Sequence, residues 1–408
     1  MTSRKWLMPY PPARSLEDAA FGEGLAPNRI FRLLLPVWQV DVQATITDGE
    51  PYELIDRYLE RGIAEAGLGT AAELSRFFAL DEPLVLGAIR FLYAIGHVVE
   101  GRDGRLALTE LGRASHRDRV SYRRPRQDRR KMYFDAFESA PFTRGYYDAG
   151  TVSFLKHGDL GARPAGRSGE NFVLLSSTHG FRREALTELV RRTDRDRFNL
   201  PIRIDNPESL GEECVHLPLY VVRASERGNR IRYLAYSQAS DEHDPELSAL
   251  CQRRAEIAGV IENEIQDDSA DWRAERASEW LRRQDLEGHR AQLLADGTWR
   301  VRLPPEAFAP NGPVALDKLG SFTVLKTDLL HIWCEDESTR ELAHLERVGG
   351  CFGNRGRLPG GEIESRISRL ARQLQVKQDT VPATQNLASE RGRERLATQL
   401  AEYQRTKE

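Results

Sequence analysis

Little in this chain of 408 residues points to an oxidising compartment or a bound metal. Its four cysteines, Cys214, Cys251, Cys334 and Cys351, stand far apart with no C-x-x-C spacing, which predicts reduced thiols and no zinc site. No apolar run approaches the roughly eighteen residues that a membrane-spanning helix needs. Met1-Thr2-Ser3-Arg4-Lys5 leads into Trp6-Leu7-Met8 and prolines, unlike the apolar stretch of a signal peptide, so a cytoplasmic protein with no membrane partner is expected. The net charge of −3 excludes a polycation, and any nucleic-acid surface must therefore be local. Also missing are H-E-x-x-H, G-x-S-x-G, H-x-K-x4-D and H-x-E with C-x-x-C. No catalytic residue and no cofactor is assigned on this basis, and whether the chain is an enzyme stays open.

What is present is concentrated in residues 52–112. Leu54, Ile55, Tyr58, Leu59, Ile63 and Ala66 recur at helical steps and predict one apolar stripe, ended by Gly67 and Gly69. Thr70 and Glu73 have the spacing of a capping box, opening a short helix that carries Leu74 and Phe77 inward. Asp81, Glu82 and Pro83 open a third helix to about Ile95, broken by Gly96. Residues 97–100 and 105–109 then alternate around Arg102-Asp103-Gly104, whose Asp-Gly pair is a hairpin signal.

This order, closed by Leu-Thr-Glu-Leu-Gly at 108–112, resembles the winged helix-turn-helix domains of bacterial regulators and of accessory proteins in prokaryotic defence loci. The resemblance covers about sixty residues and implies that the third helix enters the DNA major groove. Residues 82–91 supply Arg90 as a base-reading group and neither Asn, Gln nor Lys, which leaves base readout, phosphate-led contact and protein docking all open.

Between residues 113 and 131 nine cations, Arg113, Arg117, Arg119, Arg123, Arg124, Arg126, Arg129, Arg130 and Lys131, meet only Asp118 and Asp128, a local charge of +7. With Arg90, Arg102 and Arg105 they form the candidate nucleic-acid site, DNA before RNA, because arginine forks suit phosphate oxygens. The alternative is a solvated helix face or linker. Met132 and the aromatics at 133–147 (Tyr133, Phe134, Phe137, Phe142, Tyr146, Tyr147) read as a helix seating the winged domain on the body, or as a platform for unpaired bases.

The remainder alternates strand-like and helix-like segments. Residues 1–29 read as an extended arm, and Pro36 makes 29–46 an edge strand or two short ones. Residues 161–168 match G-x-x-x-x-G-K-[ST] except that Arg167 replaces the lysine, and read as a loop. Leu186, Leu189 and Val190 mark an amphipathic helix over 181–195. Residues 216–223 and 231–236 form a hairpin around Gly228-Asn229, similar to the core hairpin of WYL ligand-sensing domains. Arg283 and His289 have the R-x4–6-H spacing of HEPN ribonucleases within a charged helix over 267–294. Cys334-Glu335-Asp336-Glu337 offers a weak Mg²⁺ site, and the glycine-rich stretch 349–361 a loop with backbone N–H groups. The other histidines read as satisfied core or surface residues. Two terminal helices, with stripes of Ile363, Ile367, Leu370, Leu374 and of Leu387, Leu396, Leu400, Tyr403, suit docking on a protein partner or a second copy.

The expected architecture is α+β: an arm and edge strand (1–50), a winged helix-turn-helix (51–113), a basic and aromatic connector (114–150), a mixed domain (151–350) and a glycine-rich loop with a helical tail (351–408). The expected function is nucleic-acid binding as a regulator or as the recognition subunit of a prokaryotic multi-protein system, antiviral defence included. The alternatives are a nuclease or nucleotide enzyme without a linear motif, and an assembly scaffold.

Overall fold

A computed structural model describes residues 7–160, 172–198, 200–226, 230–266, 270–352 and 362–407. The chain is mixed α+β with a helical carboxyl-terminal region, and it divides into two compact units. The first comprises 37–149 and 177–215; the second comprises 1–36, 150–176 and 216–408. These boundaries differ from the linear segmentation expected above. Two long strands, Ala26–Thr47 and Arg203–Ser225, each contribute residues to both units, so the sheet partners are set by contacts remote in sequence.

In the first unit, helices Leu54–Ala66, Ala71–Phe78 and Glu82–Ile95 are followed by a hairpin, Val98–Glu100 against Leu106–Leu108. The local signals account for the breaks. Gly67 and Gly96 end their helices in the left-handed region (φ 64° and 86°), where a side chain would be strained. Thr70 Oγ1 accepts from Glu73 N at 3.2 Å, and the Glu73 carboxylate accepts from Gly69 N at 2.7 Å. Leu59, Ile63, Leu74, Val85, Ile89, Leu92, Ile95, Val98 and Leu108 form one core. The expected apolar stripe is narrower than its sequence: Leu54, Tyr58 and Phe77 lie 68%, 44% and 62% exposed, so Phe77 does not turn inward.

The run 113–131 is neither one helix nor a linker. Helix Glu110–Asp118, capped by Thr109, takes its first part, and Arg126–Asp135 is a strand paired antiparallel with the long strand from Val37↔Asp135 to Ile46↔Arg126. The aromatics after it are core as one reading expected, but on a strand and a 3-10 turn (Arg144–Tyr147) rather than a helix. Met132, Phe134, Phe137, Phe142 and Tyr146 are buried. Helix Glu184–Val190 covers this sheet with Ala185, Leu186 and Leu189.

In the second unit, strand Ile231–Tyr236 pairs with Arg203–Ser225 from Ile231↔Ser225 to Tyr236↔Tyr220, as the hairpin pattern predicts; its Gly228-Asn229 turn lies outside the described residues. The expected edge strand at 29–46 is instead part of one 22-residue strand inside a sheet, with Pro36 falling between the pairing at Leu33–Leu34 and the register that starts at Val37. Residues 7–25 are packed rather than extended: helix Pro12–Glu17 and a π turn bury Leu16 and Ala19 against Tyr220, Val222 and Leu234. A second sheet runs Ala291–Leu293, Trp299–Arg302, Asp328–Trp333, Phe322–Leu325, its two central strands parallel.

The terminal helices Glu362–Leu374, Val381–Glu390 and Glu394–Lys407 close on Leu345 and Val348 of the same chain. That internal packing uses the stripes expected to meet a partner or a second copy. The charged helix ends at Arg283, bonded to Glu279, while His289 lies in the following turn, so the two do not share a helical face. Asp336 caps helix Glu337–Cys351 through Thr339 N at 2.7 Å and Glu335 pairs with Arg302 at 2.8 Å, which occupies the acids considered for Mg²⁺. The phosphate-loop-like stretch 161–168 and most of the glycine-rich stretch lie outside the described residues. Among the described residues no helix is long and apolar enough to cross a membrane, and all four cysteines are free.

Candidate interface on the three-helix module

The fold distributes the twelve expected nucleic-acid residues rather than gathering them. Along the strand Arg126–Asp135, alternation places Arg126, Asp128 and Arg130 on the face of Met132 and Phe134, and Arg129 and Lys131 on the opposite face. The paired strand and the link after it bring carboxylates to them: Arg129 meets Asp41 at 3.0 Å, Arg126 meets Asp48 at 3.2 Å, and Arg123 meets Glu50 at 2.5 Å. Arg130 is bound by Asp128, and Arg117 by Asp118 at 3.0 Å. The charge of +7 read along the sequence is thus offset by three acids that the sequence places more than sixty residues away.

Other arginines serve the module itself. Arg105 holds Glu73 at 3.1 Å and the Gly67 carbonyl at 3.2 Å, tying the hairpin to the first two helices. Arg113 donates to Leu108 O at 2.8 Å and Arg124 to Tyr93 O at 3.0 Å, while the Arg123 guanidinium lies 5.4 Å from the Phe91 ring centroid. Arg90 on the third helix, Arg102 at the hairpin tip, Arg119 and Lys131 make no ion pair among the described residues.

The third helix buries Val85, Ile89, Leu92 and Ile95 and turns Glu82, Pro83, Leu84, Leu86, Gly87, Arg90, Phe91 and Ala94 to solvent. Leu84, Leu86 and Phe91 are 52%, 37% and 39% exposed. Over residues 54–108 six arginines stand against eight carboxylates, a net charge of −2, with Asp81 and Glu82 at the very start of the third helix.

Behind this surface lies a buried polar clamp that periodicity did not single out. Glu60 of the first helix and His97, which opens the hairpin, are both fully buried, with His97 Nδ1 2.5 Å from Glu60 Oε1. His97 Nε2 faces Tyr122 O at 2.6 Å, and Tyr52 Oη donates to Glu60 Oε2 at 2.5 Å. His97 is the satisfied core histidine that its isolation in the sequence suggests. Its partners, Glu60 and Tyr122, lie 37 and 25 residues away, beyond the reach of local patterns.

Burial raises the Asp56 carboxyl to about 6, helped by the neighbouring charges of Glu60 and Glu53. A carboxyl raised in the folded state favours folding below its unfolded value near 4 and loses that contribution as pH rises through 6. Asp56→Asn is therefore expected to raise the melting temperature by roughly a few degrees at pH 7.5. The gain should vanish near pH 4, and thermal melts of both proteins across that range check it.

In the second unit, Asp18, Glu23 and His243 bring ligand atoms within 4.8 Å of one another. Asp18 already takes Arg369 at 3.2 Å and the Tyr236 hydroxyl at 3.1 Å, so the group is a closed charge network better than a cation site. Compared with known proteins, the chain matches no family model, no curated protein and no solved structure.

Proposed function

We propose that this chain is a recognition subunit of a multi-protein system and that residues 54–108, read as a winged helix-turn-helix, dock a protein rather than read bases. The observation that carries this reading is the solvent face of the third helix: Leu84, Leu86 and Phe91 exposed in a module of net charge −2. A base-reading helix needs paired donors and acceptors, and this face offers Arg90 alone. Phosphates approaching its first turn would meet Asp81 and Glu82. Exposed apolar side chains rimmed by acids suit an amphipathic protein segment whose apolar face is flanked by Lys or Arg.

The notion of an antiviral setting rests on the winged-module resemblance alone. Phosphate-led nucleic-acid contact is the second reading, favoured by Arg90, Arg102, Arg119 and Lys131, which keep no carboxylate partner among the described residues.

The test titrates the full chain with a fluorescent amphipathic Leu/Lys peptide and with its Leu/Glu counterpart. Saturable binding of the first alone is expected, weakened about tenfold or more by Leu84→Ser with Phe91→Ser, since truncating central anchors of an interface typically costs over 1 kcal/mol each. Equal binding of both peptides, or no effect of the substitutions, would reject the assignment.

A further inference from the structure

The second unit holds an open cleft of about 520 Å³, within the roughly 300–1,000 Å³ typical of small-molecule sites. Phe21 and Phe322 stack along it with centroids 6.0 Å apart and planes at 27°, and the His331 ring lies 5.0 Å from Phe322. Arg300 Nε donates to His331 Nδ1 at 3.0 Å, so a neutral ring carries its proton on Nε2. Burial, with the charge of Arg300, holds the His331 imidazole down to about 3, which keeps it neutral. His331 is 4% exposed, and the Gly320 carbonyl acts on its ring as a backbone acceptor. The same carbonyl also accepts from Gln373 Nε2 at 3.0 Å.

The Arg300 guanidinium is half-buried, lies 5.3 Å from the Trp333 ring centroid and makes no ion pair among the described residues. Asp296, at the rim with Glu226, influences it from beyond ion-pair distance. A half-buried cation that no carboxylate reaches at ion-pair distance is costly to desolvate unless an anion is supplied to it.

We infer that this cleft binds a small molecule joining a planar aromatic ring to an anionic group, a nucleoside monophosphate or an aromatic carboxylate, with the ring on Phe21 and Phe322 and the anion on Arg300. The site is independent of the docking face proposed above.

Isothermal titration of the full chain with AMP, GMP, UMP, indole-3-carboxylate and 4-hydroxybenzoate tests it, with adenosine and inorganic phosphate as half-ligands. One class is expected to bind saturably, more tightly than either half-ligand, and the class that binds identifies the source. Arg300→Gln should weaken binding about tenfold or more, the effect of losing a charge-assisted hydrogen bond. Phe21→Leu, which keeps apolar volume but removes the ring, should weaken it with the melting temperature unchanged, and covers the case in which Arg300→Gln fails to fold. Absence of saturation by every probe at millimolar concentration overturns the inference. So does wild-type affinity in either folded variant.

Discussion

Replacing Glu60 by Leu is expected to destabilise the three-helix module by about 1–3 kcal/mol, the cost of leaving a buried hydrogen-bonding group, His97 Nδ1, without its partner. The loss is large because His97 is fully enclosed and its Nδ1 has no other acceptor to turn to: Glu60 Oε1 sits at 2.5 Å and the ring's other nitrogen is fixed on Tyr122 O. The Tyr52 hydroxyl loses the Glu60 carboxylate by the same change and keeps only Ser115. Because the pair joins the first helix to the start of the hairpin, the damage should appear as faster amide exchange over residues 54–122, with the second unit unaffected. The double variant Glu60→Leu with His97→Phe removes both members and should recover most of the loss, since replacing both partners of a buried hydrogen bond by apolar groups is often nearly neutral. A single variant as stable as wild type would show that the pair contributes nothing.

Gly112→Ala is expected to destabilise by roughly 2–3 kcal/mol, the scale of core overpacking, although alanine is the better helix former. A Cβ at residue 112 would stand 2.2 Å from the His97 carbonyl oxygen and 3.0 Å from its carbon, backbone atoms that cannot swing aside. This close approach lets helix Glu110–Asp118 lie on the start of the hairpin, and it gives the glycine that ends the Leu-Thr-Glu-Leu-Gly stretch its physical reason. Gly87 is the control: it is exposed within the third helix with nothing within 4 Å of an added Cβ. Gly87→Ala should stabilise by about 0.5–1 kcal/mol through the helix propensity alone. Opposite signs for the two substitutions, measured by thermal melts, are the expected result.

Short-range features of the fold were legible in the residues. Capping boxes, left-handed glycines and the Asp-Gly turn act over a few positions, so helices Ala71–Phe78 and Glu82–Ile95 and the hairpin at Val98–Leu108 lie where their signals place them. What could not be read was pairing at a distance. Asp41, Asp48 and Glu50 neutralise arginines near 126 only because a strand register aligns them, and no local pattern in the basic run records that register. The same holds for the aromatics after 132: their spacing fits a helix, and a strand partner beginning at Val37 decides otherwise. Phe77 illustrates a third limit, since helical periodicity does not say how wide a stripe the neighbouring helices cover.

These pairings do not make nucleic-acid contact chemically impossible. An exposed Arg–Asp pair is worth about 0–1 kcal/mol, so Arg126 or Arg129 can exchange its carboxylate for a phosphate at small cost. The acids remain nearby, however, and repel the incoming backbone, which lowers the number of phosphates the surface neutralises and hence the salt dependence of any binding.

The most direct test of the docking account is an electrophoretic shift series with single- and double-stranded DNA and RNA across salt concentrations. It compares the wild-type chain with a variant carrying Ala at Arg123, Arg124, Arg126, Arg129 and Arg130. The account predicts at most weak retardation, confined to the lowest salt, and a variant that retards no more than the wild type. Tight retardation that falls steeply with salt and is abolished in the variant would contradict it.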